Sequence, residues 1–171
     1  MMQFLERFYR VLVRVSSSLQ SPFLLAVRLY WGWQFMQTGW GKLNDIGKVV
    51  RFFTDLGIPA PAVNAYFVSA LEFGGGVLLI LGLGSRLIAF PLVFDMLVAY
   101  VAADREALFS IFSNPDKFTR AAPYTFLIAS LIVLIFGPGR VSVDALLAGR
   151  KIGLGVGGTV AGRLKVGNAI H

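Results

Sequence analysis

Along the chain, four long apolar runs alternate with shorter stretches in which charge and bulk are interleaved. The runs cover residues 21–43, 61–83, 85–104 and 121–137. Each is close to the roughly 20 residues that a helix needs to cross a hydrocarbon layer. Between the first two runs, "NDIGKVVRFFTDL" places Lys48, Arg51 and Asp55 on one helical face, with Ile46, Val49, Val50, Phe53 and Leu56 largely on the other. Gly57, Pro59 and Pro61 end that helix before the next run starts. Residues 1–20 repeat the theme, with Arg7, Arg10 and Arg14 opposite Phe4, Phe8, Val11, Leu12 and Val15. This is the pattern of a helix lying on a membrane surface. "GLGSR" is so short a link that the second and third runs form antiparallel neighbours. The expectation is an all-α, integral membrane four-helix bundle with interfacial amphipathic helices. Residues 1–20 form an amphipathic N-terminal segment, 21–147 the membrane domain, and 148–171 a flexible glycine-rich tail.

Composition supports the membrane reading. Of 171 residues, 56% are hydrophobic and only 15% charged, against roughly 25% charged in a soluble domain. The net charge of +7 is spread between apolar runs instead of clustered, so it reads as membrane-flanking charge and not as a nucleic-acid footprint. Nine basic residues fall on the side of the termini and six on the other, which predicts an inner-membrane, multi-pass protein with both termini cytoplasmic. The chain has no cysteine, and its one histidine is the last residue, His171. Disulfides, thiolate-held clusters and a buried haem ligand are therefore not expected, nor is a metal site or a covalently bound cofactor.

Three ionisable groups interrupt the runs. Arg28, Gly32, Phe35, Gly39 and Lys42 share one face of the first run, within about 80° at the helical repeat. Glu72 lies mid-way along the second, on a face with Gly75 and Gly76, and Asp95 lies mid-way along the third above Ala99 and Ala102. A lone charge at the bilayer centre costs roughly 2.5–3.5 kcal/mol or more. Arg28, Glu72 and Asp95 are therefore expected to turn inward and meet, as one ion pair plus one acid free to exchange a proton. Glu72 and Asp95 are the candidate proton-transfer residues. Arg28, Gly32, Gly39, Lys42, Gly75 and Gly76 are the candidate substrate-binding set, the glycines making room for a ligand or for a neighbouring backbone. Trp31 and Trp33 lie deep enough to flank a flat ligand or to pack the bundle. "GLGVGG" at 153–158 matches the dinucleotide glycine pattern but follows no predicted strand and precedes no acid, so it is read as tail.

The chain resembles the DoxX family of small four-helix membrane proteins through "RLYWGWQFMQTGWGKL", "FFTDLGIPAP", "LEFGGGVLLILGLGSRLIA" and "GPGRVSVDALL", in that order. The resemblance implies quinone-linked oxidation, with quinone as the non-covalent cofactor or substrate and a soluble or membrane oxidoreductase chain as partner. It carries over Arg28, Gly32, Gly39, Lys42, Glu72 with its glycines, Arg86 and the segment from Gly137 to Asp144. Asp95 is not carried over. In the last motif, Ser142 is placed to cap a short helix starting at Val143. Three functions stay open from sequence: a subunit of a quinone-linked redox system, a conduit for protons or small solutes, and a membrane anchor for a soluble oxidoreductase. The other partners expected are the lipid bilayer and, because the first run is polar on two sides, a second copy in a homo-oligomer.

Overall fold

A computed structural model describes residues 2–148. Among them the chain is helical without strands, in the order α1 (Met2–Asn44), α2 (Ile46–Asp55), α3 (Pro61–Leu81), α4 (Ser85–Ala102), α5 (Arg105–Phe109), α6 (Pro115–Arg120) and α7 (Pro123–Phe136). A last helix, α8, spans 143–148. Helix α1 packs on α3, α3 on α4, α4 on α7 and α7 back on α1, closing a ring of four, with α2 laid against α3.

The solvent preference of this ring is inverted. On α4, Asp95 is buried while the neighbouring Phe94 is 65% exposed, and Leu87 and Phe90 face outward with it. The interior holds Arg28, Glu72, Ser69, Ser85 and Ser130 together with Phe35, Leu79, Leu92 and Val133. Oil outside and charge inside is stable only where hydrocarbon is the surrounding medium. Helices α3 and α4 are each long and apolar enough to cross it. Helix α1 carries Arg28, Gln34, Gln37 and Lys42 inside its bundle portion, which lowers its apolarity. Helix α7 has fourteen residues, about 21 Å at the helical rise.

Several boundaries differ from the sequence expectation. The amphipathic segment 1–20 and the first run are one unbroken helix, α1. Nothing in "SSSLQS" stops it: Ser18 Oγ donates to Arg14 O at 2.8 Å within the helix, and Pro22 removes a single N–H. The packing boundary is nonetheless near residue 21. Residues 5–20 are exposed all round, Ser21 Oγ accepts from Arg140 N at 2.9 Å, and Leu24 is the first buried residue. Helices α3, α4 and α7 end at Leu81, Ala102 and Phe136, slightly inside the expected limits. The link between α3 and α4 turns tightly because Gly82 and Gly84 both adopt positive φ, at 68° and 57°. Asn114 caps α6 by accepting from Lys117 N at 3.3 Å, and Ser142 caps α8 by accepting from Ala145 N at 3.1 Å. The tail, including the glycine pattern at 153–158 and His171, lies outside the described residues.

Candidate functional site

Three consecutive turns of α1 set the register of the site. An added Cβ on Gly39 would lie 2.8 Å from both Phe73 Cα and Ser69 O. One on Gly32 would lie 2.9 Å from Gly76 O, and one on Gly76 would lie 2.5 Å from Gly32 O and Met36 N. Helices α1 and α3 are therefore antiparallel and in backbone contact, which only glycine at these positions permits. One turn beyond Gly39, Lys42 reaches back along α3 and its Nζ donates to Glu72 Oε1 at 2.6 Å. The Glu72 side chain is almost wholly enclosed, at 4% exposure, whereas that of Lys42 is 35% exposed.

Lys42 and Glu72 line a cavity of about 710 Å³ with Asp95 of α4. The rest of its wall is largely apolar. Helix α2 supplies Val49, Phe52 and Phe53; α4 supplies Val98, Ala99 and Ala102; α7 supplies Pro123 and Phe126. Helix α2 buries no residue of its own, so its apolar face serves the cavity wall and the outer face of α3. Phe126 is held edge-on to Phe35 and Trp31, with ring centroids 4.7 and 5.2 Å apart. Glu72 Oε2 and Asp95 Oδ2 are enclosed and have no hydrogen-bond partner within the protein. An acceptor left bare in this way costs roughly 1–3 kcal/mol. The cavity thus combines an oily wall with a charged floor that has unused hydrogen-bonding capacity, the form of a small-molecule site.

Arg28 does not join this floor, contrary to the expectation that it would meet the acids. It lies four turns of α1 from Lys42, at the opposite end of the bundle, with Nη2 donating to Val141 O. The guanidinium rests on Gly82, where an added Cβ would collide with it and would lie 2.7 Å from Ser142 Cβ. Beside it, Asp144 accepts from Gly84 N at 2.7 Å and Ser85 N at 2.9 Å, and its own N–H donates to Gly82 O at 3.0 Å. Burial acts against the ionised Asp144, but these two N–H donors and the nearby Arg28 outweigh it and hold the carboxyl below its ordinary range. Arg28 and Asp144 together clasp α1, the α3–α4 turn and the start of α8. Arg86 adds to this end, its Nη2 donating to Ile135 O at 3.1 Å while its guanidinium borders Gly137.

Of the sequence-predicted residues, the structure therefore brings Lys42, Glu72 and Asp95 together. Gly32, Gly39 and Gly76 sit in the α1–α3 contact. Gly75 sits against Leu92 and Ile88 of α4, so none of the four lines the cavity. Trp31 packs on Phe126 behind the wall, and Trp33 is half exposed. Sequence reasoning treated α2 only as an interfacial helix and missed its role as a wall. The excess of aromatic and β-branched residues on its apolar face was the available signal. The Asp144 clasp left no local signal, since its partners are 59 and 60 positions away.

Comparison with known proteins agrees with this architecture. The DoxX family profile matches residues 23–105, the stretch from α1 through α4 that carries Lys42, Glu72 and Asp95. The membrane protein Rv3486 of Mycobacterium tuberculosis is 31% identical over 148 residues, covering 78% of this chain and 86% of its own. The inner membrane protein YqjF of Escherichia coli is 28% identical over 125 residues, covering 72% and 91%. CatD of Bacillus subtilis, a provisionally named oxidoreductase, is 25% identical over 130 residues, covering 75% and 90%. No solved structure matches the chain. On this sequence likeness and this inverted helical fold, the chain belongs to the DoxX family of membrane proteins.

Proposed function

We propose that the protein is a membrane subunit of a quinone-linked redox system, with α1, α3, α4 and α7 as its four spans and the cavity between α2 and α4 as the quinone site. The observation that carries this reading is the cavity's composition: an apolar wall of ring-sized volume over a floor of Lys42, Glu72 and Asp95. A membrane quinone has a matching division, an apolar ring and tail with two oxygens that gain or lose protons. Oxidation of a hydroquinone releases two protons and two electrons. Glu72 and Asp95 each take one proton at a carboxylate oxygen. The two electrons pass to an oxidoreductase partner; with neither cysteine nor an internal histidine, this chain lacks the usual ligands of an iron–sulfur cluster or a buried haem. Reduction of the quinone runs the same transfers in reverse. Lys42 holds Glu72 in place and keeps the floor from carrying two uncompensated charges. The oxidoreductase name of CatD, the relative from Bacillus subtilis, is in line with this reading.

The test is purification in mild detergent followed by solvent extraction and identification of bound lipid. Wild-type protein is expected to carry quinone in stoichiometric amount, and Glu72→Leu protein to carry several-fold less at equal yield. Equal quinone in both, or none in either, overturns the assignment.

A further inference from the structure

The quinone-linked reading does not say which form of the head group the cavity is shaped to hold. The side chains that line it divide unevenly. Each one able to donate has at least one protein acceptor, and no enclosed donor atom of the lining is left bare. Thr38 Oγ1 donates to Gln34 O and Phe35 O at 3.1 and 3.0 Å. Asn64 Nδ2 donates to Pro59 O at 2.6 Å. Lys48 is paired with Asp45, and Lys42 with Glu72. The enclosed lining atoms left without any partner are acceptors, Glu72 Oε2 and Asp95 Oδ2, on side chains that are 3% and 9% exposed. In their ionised form both carboxylates can only accept.

We infer that the cavity selects a neutral amphiphile whose head group donates hydroxyl hydrogen bonds, so that it holds a hydroquinone in preference to the corresponding quinone. This inference rests on the quinone-linked reading and names the favoured redox form. A hydroquinone brings two O–H donors to a floor with two open acceptors. A quinone brings two carbonyl oxygens, which meet the carboxylates as acceptor against acceptor and can be served only by the spare N–H bonds of Lys42. Anions are disfavoured at the floor, where Glu72 and Asp95 face the ammonium of Lys42, Lys48 being paired with Asp45. The apolar wall then takes the ring and tail: Phe52 and Phe53 stand on one side, Val98 and Ala102 on the other.

The experiment is calorimetric titration of the full chain in phosphatidylcholine nanodiscs, with decylubiquinol under anaerobic reducing conditions and with decylubiquinone under air. The hydroquinone is expected to bind about tenfold more tightly, the discrimination that one unmatched hydrogen-bonding group confers. 4-Nonylphenol, which donates one hydroxyl and has no redox chemistry here, is expected to compete with it. Asp95→Asn replaces one open carboxylate oxygen by an N–H donor and is expected to bring the two affinities together. Affinities of wild type within threefold of each other, or a tighter quinone, overturn the inference and leave the quinone site standing. Failure of both forms to bind protein that is folded by circular dichroism overturns the site as well.

Discussion

Gly39→Ala and Gly74→Ala are the same chemical change, 35 positions apart, and the structure predicts opposite outcomes. At Gly74 an added Cβ meets nothing within 4 Å. The only effect is then the better helix propensity of alanine, a gain of roughly 0.5–1 kcal/mol. At Gly39 the new carbon lies 2.8 Å from Phe73 Cα and Ser69 O, where ordinary contact begins near 3.4 Å. These atoms and the still nearer Phe73 N are all backbone and cannot rotate away, so α1 and α3 must separate along their shared seam. Overpacking of this kind costs about 1–3 kcal/mol, which exceeds the propensity gain. The two variants should therefore differ by roughly 2 kcal/mol, or about 4–8 °C in thermal midpoint for a chain of this size. Thermal unfolding followed by circular dichroism in one detergent measures the gap. Gly75→Ala should fall between them, because its obstacles are movable Leu92 methyls and Ile88 Cγ1 at 3.1–3.3 Å. Equal midpoints for Gly39→Ala and Gly74→Ala would refute the direct α1–α3 backbone contact on which the position of Lys42 depends.

Lys42→Met leaves the enclosed Glu72 carboxyl without its cation and is expected to cost about 3 kcal/mol, toward the low end for a buried pair because Lys42 is one-third exposed. The double variant with Glu72→Gln should recover most of that loss in a double-mutant cycle, and additive losses would contradict the pair. Asp144 is held below the ordinary carboxylate range, so its clasp contributes above the unfolded pKa of about 4 and is lost as pH falls through the folded value. Asp144→Asn should flatten the acid limb of a stability–pH profile in detergent, and an unchanged limb would contradict the clasp. Tyr100→Phe removes the hydroxyl donating to Phe118 O at 2.8 Å while keeping the ring stack. A loss of about 1 kcal/mol in the same unfolding assay is expected.

The helical bundle was legible in the sequence because lipid imposes a crude rule, long apolar runs with polar punctuation, that survives without knowledge of tertiary contacts. The inward turn of Glu72 and Asp95 followed from the same rule, since short acids in mid-run cannot reach water. Arg28 escaped it for a physical reason. Among the described residues the other spans offer it no partner; the cation donates to the main chain at Val141 and lies in the field of the Asp144 carboxyl, both beyond the last span. A polar loop folding back onto the bundle end has no periodicity to betray it. The glycines were legible as close-approach positions. Which approach they serve, backbone or ligand, depends on whether the facing residue is Phe73 or an open cavity, and spacing along one helix does not contain that.

The central proposal is that a membrane quinone sits in the cavity floored by Lys42, Glu72 and Asp95. An azido-quinone photolabel applied to the protein in native membranes, followed by peptide mapping, tests this directly. Label is expected on Phe52, Val98, Ala102 or Phe126, displaced by excess decylubiquinol. Label confined to the outward-facing Leu87, Phe90 and Phe94, or insensitive to competitor, would contradict it.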